Sequence, residues 1–132
     1  MTVGVSTVNV ADPWNNCIRA GGATRTVVAG TFVKLHIGDP GAAGAGNPSA
    51  GTTTRVAVAE TASSAGVTAM TGTQPVFTNG AATETISHIS VWDAITVGNF
   101  LYSVLLTVAQ PWIAGNTFTL NTLGRSIVPL AA

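Results

Sequence analysis

Two histidines and one cysteine, set among five acidic and five basic side chains, are the residues of this 132-residue chain most able to do chemistry. His36 stands just before the turn Asp39-Pro40-Gly41, and His88 leads into Trp92-Asp93. A histidine near an aspartate could serve as an acid/base pair or contribute to a metal site. A zinc site needs three or four ligands at definable spacing, whereas the remaining carboxylates are scattered along the chain. A Ser-His-Asp arrangement is spatial and leaves no fixed spacing, and no nucleophile-elbow pattern marks a serine. The structural reading is preferred for both histidines: a ring nitrogen bonded to a strand-end carbonyl or a turn. Cys17 cannot form an internal disulfide or a thiolate zinc site alone. With only Arg19 nearby to activate it, it reads as a small, half-buried apolar side chain. No catalytic, cofactor-binding or metal-binding residue is assigned.

Asp39-Pro40-Gly41 has the composition of a tight turn: proline presets the backbone, aspartate accepts from following amides and glycine takes positive φ. It opens a Gly/Ala/Pro/Ser-rich loop over residues 38–53, long enough in a compact domain to suggest a function such as docking. The stretch Gly41–Gly51 has no lysine after its glycines and so is not a phosphate-binding loop. Of the three tryptophans, Trp92 reads as core within a strand. Trp112, following Pro111 at a strand end, is either an interface anchor or a buried corner. Arg25, Arg55 and Arg125 are expected to pair with Asp39, Glu60, Glu84 or Asp93.

The elements that must position these residues are mostly strands. Thr31–Ile37, Thr54–Glu60, Val67–Met70, Pro75–Thr78, Glu84–Trp92, Phe100–Val108, Thr117–Thr122 and Ser126–Leu130 are short runs of strand-forming types cut by turn residues. Thr24–Ala29 is either a further short strand or an irregular lead-in. Phe100–Val108 is nearly all apolar and is expected at the sheet centre, buried on both faces. Asn79-Gly80 is a strong turn signal. Asp12-Pro13 marks a helix start and Gly21-Gly22 a stop, giving a helix over 13–20 that must lean on a sheet, because two turns do not stand alone in water. The expected fold is mainly β: a single domain over 1–132, an antiparallel β-sandwich of jelly-roll or immunoglobulin-like type with about eight short strands and one short N-terminal helix.

Composition narrows the function classes. Charged residues make up 8% of the chain and the formal net charge is zero, against about 25% charged in a typical soluble domain. Five scattered cations cannot build the basic patch of a nucleic-acid binder. The hydrophobic fraction of 46% argues against disorder. The longest apolar stretch, Val97–Gln110, is interrupted by Gly98, Asn99, Ser103 and Thr107, so no membrane insertion is expected. Met1–Val10 lacks the basic segment and apolar core of a signal peptide. Near-zero net charge favours association, so much of the surface is expected to be covered by neighbours.

The helix ending at Gly21-Gly22, the strand Val33-Lys34-Leu35-His36, the loop from Gly38-Asp39-Pro40-Gly41 to Asn47-Pro48-Ser49 and the strand His88-Ile89-Ser90-Val91-Trp92-Asp93-Ala94 resemble a family of small phage virion proteins. The apolar strand after Gly98 and the segment Ala114–Leu130 are similar to that family's later strand and closing hairpin. Ile37 departs from it, standing where a small polar residue is more usual. The resemblance covers Asp12–Leu130 and implies a non-enzymatic virion structural protein, made in the host cytoplasm. Relatives are usually labelled minor tail, tail-fibre or structural proteins. A symmetric oligomer at the tail or tail tip ranks first, contacting copies of itself and other tail or major capsid proteins. A capsid decoration protein is the alternative, and a receptor- or glycan-binding module the second. Asp39, Pro40, Gly41, Asn47 and Trp112 are the partner-interface candidates.

Overall fold

The computed structural model describes residues 3–19, 21, 28–80 and 82–127. They form eight strands and one short helix, in antiparallel sheets throughout. The helix α1 covers Asp12–Ile18 and continues a wide π-helical turn over Thr7–Ala11. The strands are β1 (Thr31–His36), β2 (Val56–Glu60), β3 (Val67–Thr71), β4 (Val76–Thr78), β5 (Glu84–Trp92), β6 (Phe100–Trp112), β7 (Thr117–Thr119) and β8 (Gly124–Ser126). Six strands join in the order β6-β5-β1-β2-β3-β8, and β4 pairs with β7 in a separate two-stranded sheet.

Strand alternation explains the core. Val33 and Leu35 of β1 face the same way as their register partners Val91 and Ile89 of β5, which in turn oppose Tyr102 and Val104 of β6. Val58 of β2 lies opposite Thr31 and extends this apolar face. The six-stranded sheet curls around it. Arg125 of β8 lies 4.9 Å over the ring of Tyr102 of β6, although the two strands stand at opposite ends of the strand order. The β4–β7 ribbon closes the core, with Phe118 edge-on to both Phe77 and Trp112 at centroid distances of 6.3 and 6.1 Å. The result is the mainly β, sandwich-like architecture expected.

Several local expectations are corrected. β6 is an edge strand: Phe100–Ser103 are buried on both faces as expected, but beyond Ser103 its residues are half-buried or solvent-exposed up to Trp112, and a second stretch buried on both faces is His88–Val91 of β5. Two residues of the β5 stretch, His88 and Ser90, are polar, so hydropathy alone misses it. β6 also runs past residue 108, through Pro111 to Trp112. An edge position tolerates a proline because no ladder bond is needed on its outer side. Between the pairs His88↔Leu105 and Ile86↔Gln110, residues 106–109 bulge out opposite Ser87.

The helical start is also different. Ser6 Oγ accepts from Asn9 N at 3.3 Å, so helical backbone begins five residues before α1, and Asp12 lies within the helix instead of capping it. Neither α1 nor the turn before it contains a fully buried residue, and the segment meets the core through the turn, where Val10 is partly buried. Two backbone bonds, Ser6 N to Leu101 O (2.6 Å) and Ser103 N to Gly4 O (2.9 Å), and the Asn9 side chain, whose Nδ2 donates to Phe100 O (2.9 Å), tie the segment to β6. Cys17 on this helix is exposed, not half-buried.

Asn79 turns the chain, but β4 and β5 form no hairpin. Asn79 is buried and caps the turn through its own side chain, accepting from Ala82 N at 3.1 Å. The last strand is Gly124–Ser126, set by pairing of Arg125 with Thr68, and residues 128–130 of its expected span lie outside the described residues. Residues 24–27 of the first expected strand and Arg25 lie outside them as well. Among the described residues no helix is long and apolar enough to cross a membrane.

Candidate functional site

The Gly/Ala loop is a closed excursion from the end of β1. Asp39 Oδ1 accepts from Gly41 N at 2.9 Å, making the expected aspartate turn. Gly44 N donates to Gly41 O (3.0 Å) and Gly46 N to Pro40 O (2.8 Å). Asn47 takes the left-handed conformation at φ 44° and donates Nδ2 to Asp39 O at 2.9 Å, bracing the two arms. Ile37 N then donates to Asn47 O and Ser49 N to Leu35 O, which returns the chain alongside β1. At the far reach of the loop Gly44, φ 69°, presses on Phe100; a Cβ there would sit 2.3 Å from the ring. Only glycine satisfies both the backbone angle and the contact.

The polar face of the sheet beneath this loop carries a relay of hydrogen bonds. Phe32, Lys34 and His36 share it with Trp92, Ser90 and His88, their register partners. Trp92 Nε1 donates to Ser90 Oγ at 2.8 Å, Ser90 Oγ lies 2.7 Å from His36 Nε2, and His36 Nδ1 lies 2.7 Å from Gly46 O. Indole N–H can only donate and a carbonyl can only accept. The chain therefore has one consistent direction: Ser90 donates to Nε2, and His36 carries its proton on Nδ1 and donates it to the loop. Neutral histidine fits this role, and burial lowers the His36 pKa below its ordinary 6.5, opposed by the Gly46 carbonyl. His36 is a structural clamp between sheet and loop.

A carboxylate anchors the other end. Glu84 accepts from the Ser49 hydroxyl, from Ala50 N (3.0 Å) and from Gly51 N (3.1 Å). Arg55 secures the neighbouring turn. Its guanidinium lies 3.8 Å over the Trp92 ring and Nη1 donates to Ala94 O (2.8 Å) and Val97 O (2.6 Å). Burial lowers the Arg55 pKa and Asp93 opposes the shift. Asp93 itself caps the turn through Asn99 N and Nδ2. The expected arginine pairs are thus realised as Arg125–Glu60 at 2.9 Å, whereas Arg55 serves backbone carbonyls and Glu84 serves amides.

Asp39, Pro40, Gly41 and Asn47 therefore belong to one locked loop. Pro40 is buried, Asp39 and Gly41 are half-buried, and the surface shown to solvent is Ala42, Ala43 and Ala45–Pro48. Trp112 is not with them. At 2% exposed it lies in the core, donating Nε1 to Asn116 O, so of its two readings the buried corner is observed. Trp92 is half-buried between Arg55 and Phe100. The feature missed in the sequence is the turn tip beside Phe100, where Ile95 is exposed and Val97 is 88% exposed at φ 55°. A β-branched residue held at positive φ is a strained placement; the signal for it was two apolar residues flanking a Thr in a turn that ends in Gly98. His36 and His88 are register partners in adjacent strands. Among the described residues no three or more His, Cys, Asp or Glu side chains gather as a metal site would need.

Comparison with known proteins matches the family described as podophage GP4 fiber I protein gp80 over residues 6–126. That span holds every strand and the helix, so the fold just described, with its locked loop and uncharged turn tip, is the fold of a phage virion structural protein. The chain belongs to the podophage GP4 fiber I protein gp80 family. No curated protein matches it significantly.

Proposed function

We propose that this chain is a non-enzymatic, fibre-type component of the phage tail that assembles as a symmetric oligomer and contacts neighbouring virion proteins. The family match over residues 6–126 carries the reading. Three features support it. Both nitrogens of His36 are committed to holding the loop, which leaves them no free role in catalysis. The parts of the loop and turn that face solvent are Ala42, Ala43, Asn47, Ile95 and Val97, uncharged and on rigid supports. Such surfaces associate through buried apolar area without desolvating a charge. The strands carrying His36-Gly38-Asp39-Pro40-Gly41 and His88-Trp92-Asp93 supply that rigidity, which gives the motifs a structural reason to occur together.

Gold-labelled antibody against the protein on intact particles tests the position. Label at the tail or its tip is expected. Label spread over the head would replace the tail reading with capsid decoration, for which the same apolar surface would serve. Analytical ultracentrifugation tests assembly, with a discrete oligomer expected and a monomer at high concentration counting against it.

A further inference from the structure

The turn between β5 and β6 holds a strained residue that packing inside the chain does not account for. Its tip, Ile95-Thr96-Val97, is uncharged, and Val97 stands at φ 55° with 88% of its surface exposed. Glycine or asparagine would take this backbone angle more readily than a β-branched residue. The conformation is imposed from below. Arg55 Nη1 holds the carbonyls of Ala94 and Val97 at 2.8 and 2.6 Å, and Asp93 Oδ1 accepts from Asn99 N at 2.6 Å. Gly98 completes the turn where any Cβ would collide with Asp93. This support fixes the backbone and leaves the side chains of Ile95 and Val97 in solvent. Strain of this kind gathers where a residue is held for contact with something else.

Two cavities of the chain are of a size to receive such a tip. One, of about 700 Å³, lies under the β6 bulge, and Gln110, Thr117, Thr119 and Asn121 give it a largely polar lining. An apolar insert there would strip water from groups it cannot bond. The other, of about 730 Å³, is a groove between the N-terminal arm and the β3–β8 edge. Its wall is mainly apolar, with Val5 and Ile127 exposed and Val10 half-buried. Arg125 is the one charged residue in this wall among the described residues, and Glu60 Oε2 already pairs with it at 2.9 Å. An anionic partner would have to compete with that carboxylate, whereas an uncharged apolar insert leaves no charge unpaired. The tip thus has its complement in shape class and charge on the same chain. Its own groove is closed to it, because Arg55 and Asp93 fix the tip where Val97 faces solvent. The fitting occupant is the tip of a second copy.

We propose that the Ile95-Thr96-Val97 tip of one copy seats in the groove between the arm and the β3–β8 edge of a second copy, with Val5 and Ile127 as its walls. The inference rests on the oligomeric reading above and names the two surfaces in contact. Sedimentation equilibrium of the full chain, with melting curves taken beside it at dilutions below the assembly midpoint, tests it. Val97→Gly removes the side chain and relieves the positive φ. It should hold or raise the melting temperature of the monomer and yet weaken association by about tenfold or more, the order expected for one buried valine side chain. Ile127→Asp, at an exposed position of the opposite surface, should leave the monomer folded and weaken association by at least as much, about tenfold. In a Cys17→Ser background, mixed Val97→Cys and Ile127→Cys chains should form a disulfide-linked pair far faster than either chain alone. A parent that stays monomeric at high concentration overturns this contact together with the oligomeric reading. A parent oligomer that either substitution leaves intact, or whose mixed cysteine variants fail to cross-link, overturns the contact alone. Variants that assemble normally but are missing from particles overturn it as well, and would make another virion protein the occupant.

Discussion

Two parts of the chain meet the start of β6 in opposite ways. The loop over residues 38–51 reaches Phe100 through a side-chain contact at Gly44 and is tied down by His36, Asn47 and Glu84. The N-terminal arm meets Leu101–Ser103 through backbone hydrogen bonds and then continues as helical backbone without one buried residue. In the loop, polar side chains replace a hydrophobic core, and each is placed to answer another. In the arm, Val8 and Ile18 are 74% and 71% exposed, and Val10, only partly buried, is the side chain there that packs against the core among the described residues. Local order in this protein therefore follows side-chain closure, not element type: the irregular segment is the locked one and the regular segment is the weakly held one.

The contrast is broken most forcefully at Gly44. Gly44→Ala forces a Cβ against the Phe100 ring at a positive φ, combining overpacking with an unfavourable backbone. Urea unfolding should show a loss of about 2–5 kcal/mol, the sum expected for those two faults. An unchanged midpoint would mean that the loop does not depend on this contact.

His36 comes next. His36→Ala removes the donor to Gly46 O and the acceptor for Ser90 Oγ, stranding two groups under the loop, and should destabilise by about 2–3 kcal/mol. The same clamp carries a pH signature. Because burial lowers the folded-state pKa below 6.5, the unfolded chain binds the proton more readily. The contribution of His36 is full above pH 6.5 and is lost as pH falls from there through the lowered folded value. Melting curves between pH 7.5 and 5, compared with those of His36→Gln, should show this acid-side loss in the parent and a smaller one in the variant. Equal slopes in both would assign the pH response to other groups. Glu84→Gln should follow at about 1–2 kcal/mol, since an amide keeps an acceptor but gives up the charge that strengthens three bonds.

The ranking also shows what could be read in the residues. The turn at Asp39-Pro40-Gly41 follows from local chemistry, and so does the structural role of His36. Strand positions were legible wherever β-branched residues alternate, as in Val56-Ala57-Val58. The order of strands was not. Phe100–Val108 has the composition of a central strand, but only Phe100–Ser103 are buried on both faces and the rest runs along the edge into an exposed bulge. The buried middle of β5 hides behind two polar residues: Ser90 is bonded to His36 and Trp92, and His88 is bonded through Nδ1 to Ser87 Oγ. Trp112 had two equal readings because burial at a strand end depends on what packs there, and its neighbour Phe118 comes from a ribbon whose pairing is non-local. The start of the helix was misplaced for a local reason: Ser6 competes with Asp12 as the cap, and its attachment to β6 decides the outcome.

The smallest expected effect is the one that separates the two regions most cleanly. Ile18→Ala removes an apolar side chain of α1 that is 71% exposed, and it should change the unfolding free energy of the isolated chain by no more than about 0.5 kcal/mol, as for surface substitutions generally. Hydrogen exchange should agree, with amides of α1 exchanging far faster than those of Val33, Leu35 and Ile89 in the buried strands. If the arm gains its order by packing on neighbouring copies, the same substitution should shift the oligomer–monomer midpoint by more than it shifts the melting of the monomer, because an apolar face that is exposed in one chain loses that exposure only on assembly. An Ile18→Ala protein that unfolds as early as Gly44→Ala would erase the distinction and place the arm in the folding core. Slow exchange in α1 with intact assembly would locate its support within the chain, and the difference between locked loop and lightly held arm would then have to rest on the loop alone.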